Sequence, residues 1–189
     1  AFWQRAFWEE VKGADPGATV ITMGFSHPAN YLAFLEAFLN SPNLKGPAYP
    51  YFDVFAFHCY PVNYDPNIYV MNADEGYVRR ALTAHAIDVD IWLMETGDRS
   101  VNEVKQASQD IKYLLHGAST GVRRVNLHGL WEIGSEDHWG VLGDTPSGQV
   151  PVRKPSFTAF QTLLAKIGNN RGVEFLGPGR YRALLPGGK

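Results

Sequence analysis

Short apolar runs rich in β-branched and aromatic residues alternate with amphipathic stretches along most of this sequence. The apolar runs lie within residues 17–28, 51–61, 89–95 and 123–133. Apolar residues three and four apart, the spacing of a helix, cover residues 2–12, 29–41, 75–87, 101–119 and 154–168. Strands that read as near-continuously apolar are buried on both faces, as in a parallel sheet between helices. The alternation therefore predicts an α/β fold built on a parallel sheet.

The final stretch follows a different pattern. Two strand-like pieces, "GVEFLG" and "RYRALLP", are separated by Gly-Pro-Gly, which predicts an antiparallel hairpin. We therefore expect a boundary after residue 168, with residues 169–189 beginning an accessory β element. The opening "AFWQRAFWEEV" has the pattern of a helix interior and no initiator methionine, so we expect a chain truncated at both ends.

Composition excludes several classes of function. The chain has 189 residues, 45% of them hydrophobic, and a net charge of −2 without a basic stripe, which argues against nucleic-acid binding. No apolar run approaches the roughly 20 residues of a membrane span. The single cysteine, Cys59, excludes an internal disulfide and a Cys-rich zinc site, and its parity in the run predicts that it faces the helices. No signal peptide is recognisable, so the compartment stays open.

Polar and aromatic residues gather where each predicted strand ends. In parallel α/β folds, chemistry collects at the carboxyl ends of the strands. Each residue also has a structural interpretation, such as a solvated strand-end carboxylate or a core histidine bonded to backbone, and only their convergence on one rim favours function. His85 and His116, which fall on helices, are expected at the surface. The residues at the four exits are Ser26, His27, His58, Tyr60, Glu95, His128, Trp131 and Glu132.

Three of these exits resemble the clan-A glycoside hydrolases, and family 39 or family 5 in particular. "HCYP", "WLMETGD" and "LHGLWEI" follow successive strands in the order and at the spacing of these (β/α)₈ barrels. The resemblance implies that residues 1–168 are the C-terminal half of a TIM barrel, strands five to eight with their helices. It implies that Glu95 is the nucleophile and that His58 and Tyr60 are the His-x-Tyr after strand six. Trp131 matches the tryptophan that floors the sugar site.

The same resemblance implies a retaining hydrolysis of O-glycosidic bonds in a plant or microbial oligo- or polysaccharide. The carbohydrate would bind to the strand exits and to the loop after the last strand, and no cofactor or metal is implied. The Asn-Glu pair that carries the acid/base in this clan is absent, so we expect that residue on a missing N-terminal half and an inactive fragment. The residues expected to bind the sugar are Trp131, His27, Trp139 and His128.

Three alternatives remain open on the sequence. A metal-dependent amidohydrolase barrel would use His27 and His58, although the expected Asp after its last strand is not in place. A non-catalytic sugar-binding barrel would use the same aromatic rim. A flavodoxin-like sheet would be complete in itself, but no Gly-rich phosphate loop follows any strand.

A half-barrel would leave two strand edges open. Open edges pair with other chains, so we expect either the missing half or self-association there. The inward faces of the strands would also lose their partners across the barrel and form an exposed apolar patch. We expect Ile21, Ala56, Leu93 and Leu127 on that patch.

Overall fold

The computed structural model of the chain describes residues 1–26, 32–60, 69–132, 138–144 and 149–187, without the side chains of 69–74. The helices are α1 Phe2–Ala14, α2 Leu32–Leu39, α3 Tyr69–Ala84, α4 Glu103–Ser119 and α5 Pro155–Ile167. The strands are β1 Phe25–Ser26, β2 Val54–His58, β3 Asp90–Thr96, β4 Arg124–Leu127, β5 Val173–Gly177 and β6 Arg180–Ala183. The predicted α/β alternation is confirmed. None of the described helices is long and apolar enough to cross a membrane.

Strands β1 to β4 form one parallel sheet in which each strand pairs with the next along the chain. A flavodoxin-like sheet reverses its strand order beside the first strand, so the consecutive order argues against that alternative. Consecutive parallel order is also the order of strands within a (β/α)₈ barrel. The carboxyl ends of all four strands lie at one end of this sheet.

The first strand is much shorter than the apolar run predicts. Ile21 forms an isolated bridge with Val54, and regular pairing resumes only at Phe25. Between them the hydroxyl of Thr22 accepts the backbone N–H of Ala56 at 2.8 Å, which places a side chain where a backbone carbonyl would otherwise pair. The run is therefore interrupted by a local hydrogen bond that hydrophobicity does not reveal.

The face of the sheet under the helices is a closed aromatic and aliphatic core. Phe55, Phe57, Ile91 and Leu93 are each at most 2% exposed, and Cys59 is buried among the same residues, as its parity predicts. Burial of this kind stabilises the fold by about 1.5–3 kcal/mol for each large side chain. This core fixes β2 and β3 under the helices and so fixes the strand ends.

The expectation of an exposed apolar patch on the opposite face is wrong for two of its four residues. Ala56 and Leu93 are buried, and Leu93 packs beneath α4, where its side chain lies 3.3 Å from the position of a Cβ on Gly117. Leu127 lines a cavity with residues of α4 and α5. The pairing register shifts between Leu93 and Thr96, so the side taken by Leu93 does not fix the side taken by Glu95.

Residues of different character occupy the opposite face. The guanidinium of Arg124 lies 4.0 Å from the centre of a Trp92 ring, and the Asn126 amide lies 3.4 Å from the Met94 sulfur. The indole N–H of Trp92 is buried without a hydrogen-bond partner among the described residues. This face is therefore polar and aromatic rather than a patch of aliphatic residues.

Strands β5 and β6 form the predicted antiparallel hairpin, which packs against the C-terminal part of α4. His116 of α4 is 1% exposed, and its ring lies 5.1 Å from Phe175 and 6.1 Å from Tyr181. The expectation that His116 lies at the surface is therefore wrong, because the hairpin covers it. His85, also expected at the surface, is half-buried and lies 3.1 Å from the Glu36 carboxylate.

Candidate active site

Backbone hydrogen bonds bring the ends of three strands together around Glu95. The N–H of Cys59 donates to the carbonyl of Glu95 at 3.0 Å, and the N–H of His128 donates to the carbonyl of Thr96 at 2.7 Å. The end of β3 is thus bonded on one side to β2 and on the other to β4. Any side chain at these positions is carried by the core strands.

The Glu95 carboxylate lies among three polar groups from the neighbouring strand ends. The Tyr60 hydroxyl donates to its Oε2 at 2.7 Å, and the Nδ1 atoms of His58 and His128 lie 3.2 and 3.6 Å from the same oxygen. The Glu95 side chain is 34% exposed. The structure therefore brings together Glu95, His58, Tyr60 and His128, four residues that the sequence placed at strand exits.

The pKa of Tyr60 is raised well above its usual range, first by burial and then by the hydrogen bond to the Glu95 carboxylate. A phenol with a raised pKa keeps its proton at neutral pH and remains a hydrogen-bond donor. The hydrogen bond from Tyr60 is therefore best accepted by a carboxylate oxygen of Glu95. This pairing suits a glutamate that must be ionised to act.

His58 is held from behind by Gly24, a residue that the sequence did not single out. A Cβ on Gly24 would lie 2.0 Å from the Nε2 of His58 and within 2.7 Å of two further ring atoms. No side chain fits there unless the imidazole moves. The only available sequence signal was a glycine inside a strand-like run, which is typical of close backbone approach.

An aromatic wall stands beside these groups. The Trp139 ring lies 4.8 Å from the Tyr60 ring and 5.7 Å from the His128 ring, and Tyr60 and His128 are 5.9 Å apart. All three pairs are steeply inclined, which is a favourable arrangement of aromatic rings. Gly129, at a φ of +79°, lies directly beneath Trp139, and a Cβ there would be 3.3 Å from the Trp139 Cβ.

Trp131, expected to floor the sugar site, lies elsewhere. It is 53% exposed and pairs through its backbone with Leu142. Among the described residues, no hydrogen bond, ion pair or ring contact joins Trp131 to Glu95. Trp139 is the tryptophan that contacts the donors, and His27 lies outside the described residues. The sugar-binding roles of all these residues stay predictions.

A buried polar layer lies beneath the turn after Glu95. Asp98 is 3% exposed, and its N–H donates to Asp110 Oδ1 at 2.9 Å. Burial raises the pKa of Asp98 and raises that of Asp110 to about 7. Glu132 is no free loop charge, because the buried Lys154 ammonium donates to it. Sequence reasoning missed Asp110, whose signal was an acid in the buried stripe of α4.

Metal ligands do not gather in the described part of the chain. Over residues 1–26, 32–60, 69–132, 138–144 and 149–187, no group of three or more His, Cys, Asp and Glu side chains forms a candidate metal site. His27, which the amidohydrolase alternative requires, lies outside these ranges. The amidohydrolase alternative therefore gains no support from the described geometry.

Comparison with known proteins bears on the fold of this chain. No protein-family model matches the sequence, and no curated protein matches it either. The chain is similar to the solved structure of a family 39 glycoside hydrolase from the gut symbiont Bacteroides cellulosilyticus WH2, with a TM-score of 0.65 at 18% identity. The chain has a glycoside hydrolase-like fold. The alignment covers 97% of this chain and 41% of that one, so the chain spans well under half of its structural neighbour.

Proposed function

We propose that this chain carries the nucleophile of a retaining glycoside hydrolase and that Glu95 is that nucleophile. The observation that carries the proposal is the environment of Glu95 Oε2, which accepts from Tyr60 at 2.7 Å and lies 3.2 Å from the His58 Nδ1. Donors to a carboxylate favour its ionised form, which is the form that attacks. Glu95 also ends a parallel strand, where α/β enzymes place their catalytic groups.

The proposed reaction has two displacements. In the first, a Glu95 carboxylate oxygen forms a bond to the anomeric carbon while the bond from that carbon to the leaving oxygen breaks. The leaving oxygen takes a proton from a general acid. In the second, water attacks the anomeric carbon, gives a proton to the same group and releases Glu95 as a carboxylate. The Oε2 atom of Glu95 is the oxygen nearest to Tyr60, His58 and His128, so Oε1 is the attacking atom in this proposal.

The general acid would come from a part of the barrel outside this chain. A retaining pair needs carboxyl groups about 5–5.5 Å apart. The Asp98 carboxylate already accepts the N–H of Ser100 at 2.7 Å, and the Glu132 carboxylate accepts from Lys154. Consecutive parallel strands and a match to 41% of a glycoside hydrolase chain support reading β1–β4 as strands five to eight. The missing N-terminal half of the barrel would then lie against the sheet face that carries Trp92 and Met94.

We further propose a carbohydrate substrate bound against Trp139. An indole face stacks on the apolar C–H face of a pyranose and excludes water from the reacting bond. Trp139 already packs against Tyr60 and His128, the two residues whose polar atoms lie nearest Glu95 Oε2 together with His58, so it stands beside the proposed nucleophile. His27 and Trp131 remain candidates for other sugar contacts. The aromatic wall would also serve a sugar-binding protein without catalysis, and the experiment below separates the two.

A mechanism-based label tests the proposal directly. In a 2-deoxy-2-fluoro glycoside with a dinitrophenolate leaving group, that group departs without help from an acid. The full-length product of the gene should therefore accumulate a covalent ester on Glu95. Peptide mass spectrometry after proteolysis would locate it. Glu95→Gln keeps the shape of the side chain and should lower kcat on nitrophenyl glycosides at least about 1,000-fold. Asp144→Asn, at an exposed loop carboxylate after β4, is the matched control and should change kcat little.

Other outcomes would sink the proposal in distinguishable ways. Labelling of a different carboxylate would move the nucleophile away from Glu95. Sugar binding without label or turnover would favour the sugar-binding barrel. Activity lost to a chelator and restored by zinc would favour the amidohydrolase alternative.

A further inference from the structure

A single glutamine of α4 holds the segment that carries Trp139. The Nε2 of Gln106 lies 2.8 Å from the carbonyl oxygen of His138 and 3.3 Å from those of Trp139 and Gly140. Gln106 is completely buried. One side-chain amide thus serves three consecutive carbonyls of a segment that is neither helix nor regular strand.

The chemistry of the amide fixes its orientation. Rotating it by half a turn would place its oxygen against three carbonyl oxygens, which would repel it, so the nitrogen must face the segment. In this orientation the Gln106 oxygen is buried without a partner among the described residues. A buried acceptor without a partner is destabilising. The hydrogen bonds donated by Gln106 Nε2 are therefore made together with a destabilising Gln106 Oε1.

Lys154 also contacts this segment. Its ammonium, 3% exposed, reaches the carbonyl of His138 at 3.5 Å while it donates to Glu132. Gly140 allows the segment to lie against the backbone at Trp131 and Glu132, because a Cβ there would be 2.4 Å from the Glu132 nitrogen. The backbone on both sides of Trp139 is therefore fixed, and the indole contacts Tyr60 and His128 from a constrained position.

One helical turn further along α4, Asp110 holds the turn that follows Glu95. Its Oδ1 accepts the N–H of Asp98 at 2.9 Å. It also lies 3.8 Å from the position of a Cβ on Gly97, which is 3.6 Å from the Trp139 ring. The same face of α4 thus reaches both the turn after Glu95 and the segment that bears Trp139.

We propose that Gln106 and Asp110 are positioning residues of the Glu95 site, the first for Trp139 and the second for the turn that follows Glu95. This inference rests on the proposed glycosidase function for its kinetic consequences only. Loss of the Gln106 contact should disturb the sugar platform and raise KM. Loss of the Asp110 contact should displace the carboxylate and lower kcat.

The first test reads the position of Trp139 without any assay of activity. The protein is labelled with 5-fluorotryptophan, and its Trp139 resonance is assigned with Trp139→Phe. Gln106→Met keeps the length of the side chain and removes the donor, so the Trp139 resonance should shift or broaden. Gln161→Met, the same change on an exposed position of α5, should leave it in place. An unchanged Trp139 resonance in Gln106→Met would overturn the role of Gln106.

The second test separates KM from kcat on nitrophenyl glycosides. Gln106→Met should raise KM roughly 10-fold with a smaller effect on kcat, and Asp110→Leu should lower kcat roughly 100-fold, the scale of a misplaced catalytic group. Asp110→Asn keeps an oxygen for the Asp98 N–H and should recover most of that loss. Failure of Asp110→Asn to improve on Asp110→Leu would overturn the role of Asp110.

The two proposals fail in different ways. If wild-type protein hydrolyses no glycoside and takes no fluoro-sugar label, the proposed function falls. The fluorine spectra would still decide whether Gln106 holds Trp139. If hydrolysis is strong but Gln106→Met changes neither the Trp139 resonance nor KM, the positioning proposal falls and the glycosidase stands.

Discussion

Two histidines in this molecule each contact a pair of aromatic rings, and their surroundings differ. His128 contacts Tyr60 and Trp139 at ring distances of 5.9 and 5.7 Å, and His116 contacts Phe175 and Tyr181 at 5.1 and 6.1 Å. The His128 side chain is 43% exposed and lies near the Glu95 carboxylate, whereas His116 is 1% exposed. A cluster of rings around an imidazole therefore does not mark a reactive site by itself.

The difference lies in the carboxylate and in access to solvent. At the His128 cluster, Tyr60 donates its hydroxyl proton to a carboxylate, whereas at the His116 cluster the Tyr181 hydroxyl lies 3.4 Å from the His116 Nδ1. The first cluster can meet a ligand, and the second joins the hairpin to α4. Helix α4 underlies both, with Gln106 and Asp110 near its start and His116 near its end.

The largest expected effect comes from removing one hydroxyl from each cluster. Tyr60→Phe removes the shortest hydrogen bond to Glu95 and should lower kcat about 100-fold, the scale of a misplaced catalytic group. Tyr181→Phe should leave kcat within about 2-fold, because it lies at the hairpin. Steady-state kinetics with nitrophenyl glycosides measures both. Equal losses in the two variants would erase the distinction between the clusters.

A second test concerns the acid beneath the Glu95 cluster. The pKa of Asp110 is about 7 in the folded chain and 3.8 as its ordinary value, so the folded state binds this proton more tightly. Its contribution to stability is full below about pH 4 and is lost as the pH rises towards 7. Asp110→Asn does not titrate and should raise the free energy of unfolding by about 2–3 kcal/mol at pH 8.

The gain from Asp110→Asn should shrink as the pH falls towards 4. Urea titrations at pH 4.5, 6 and 8 follow it. A constant difference across this range would show that the carboxyl titrates normally.

His116→Gln is the corresponding change at the other cluster. We expect any loss in its free energy of unfolding to come from the contact of His116 with the hairpin.

The smallest expected effect separates the two tryptophans. Trp139→Ala should weaken sugar binding by about 1–2 kcal/mol, because its ring borders the Glu95 donors. Trp131→Ala, at a half-exposed ring away from them, should weaken it by less than about 0.5 kcal/mol. Isothermal titration with the sugar product compares the two. A larger loss for Trp131→Ala would restore it as the floor of the sugar site and leave Trp139 as a scaffold residue.

The sequence predicted where the strands lie, their alternation with helices and the polar strand ends, because periodicity and position suffice for these, although β1 is much shorter than its apolar run. It predicted the wrong face for Leu93, because a register shift near the end of β3 breaks the alternation that the prediction assumed. It placed His116 at the surface, because the covering residues come from a hairpin about 60 positions later. Burial produced by distant segments leaves no trace in local periodicity.

The site itself was predictable in its titratable groups and not in its supports. Glu95, His58 and Tyr60 stand out because each follows an apolar run. Gly24 and Gln106 have no such signal, since the first acts by lacking a side chain and the second by one buried amide. Residues that act by the space they leave or by a single buried contact can be recognised only when their neighbours in the fold are known.

The contact between Gly24 and His58 also limits how this protein can change over generations. With the His58 ring in its present position, any side chain at position 24 would overlap it, so substitutions at the two positions should be coupled. A lineage could replace Gly24 only with a smaller residue at position 58 or with the His58 ring displaced, and either change would disturb the contact of His58 with Glu95. In a library that randomises both positions, functional survivors should be confined to the glycine–histidine pair, while single changes at exposed positions such as Gln161 should pass freely.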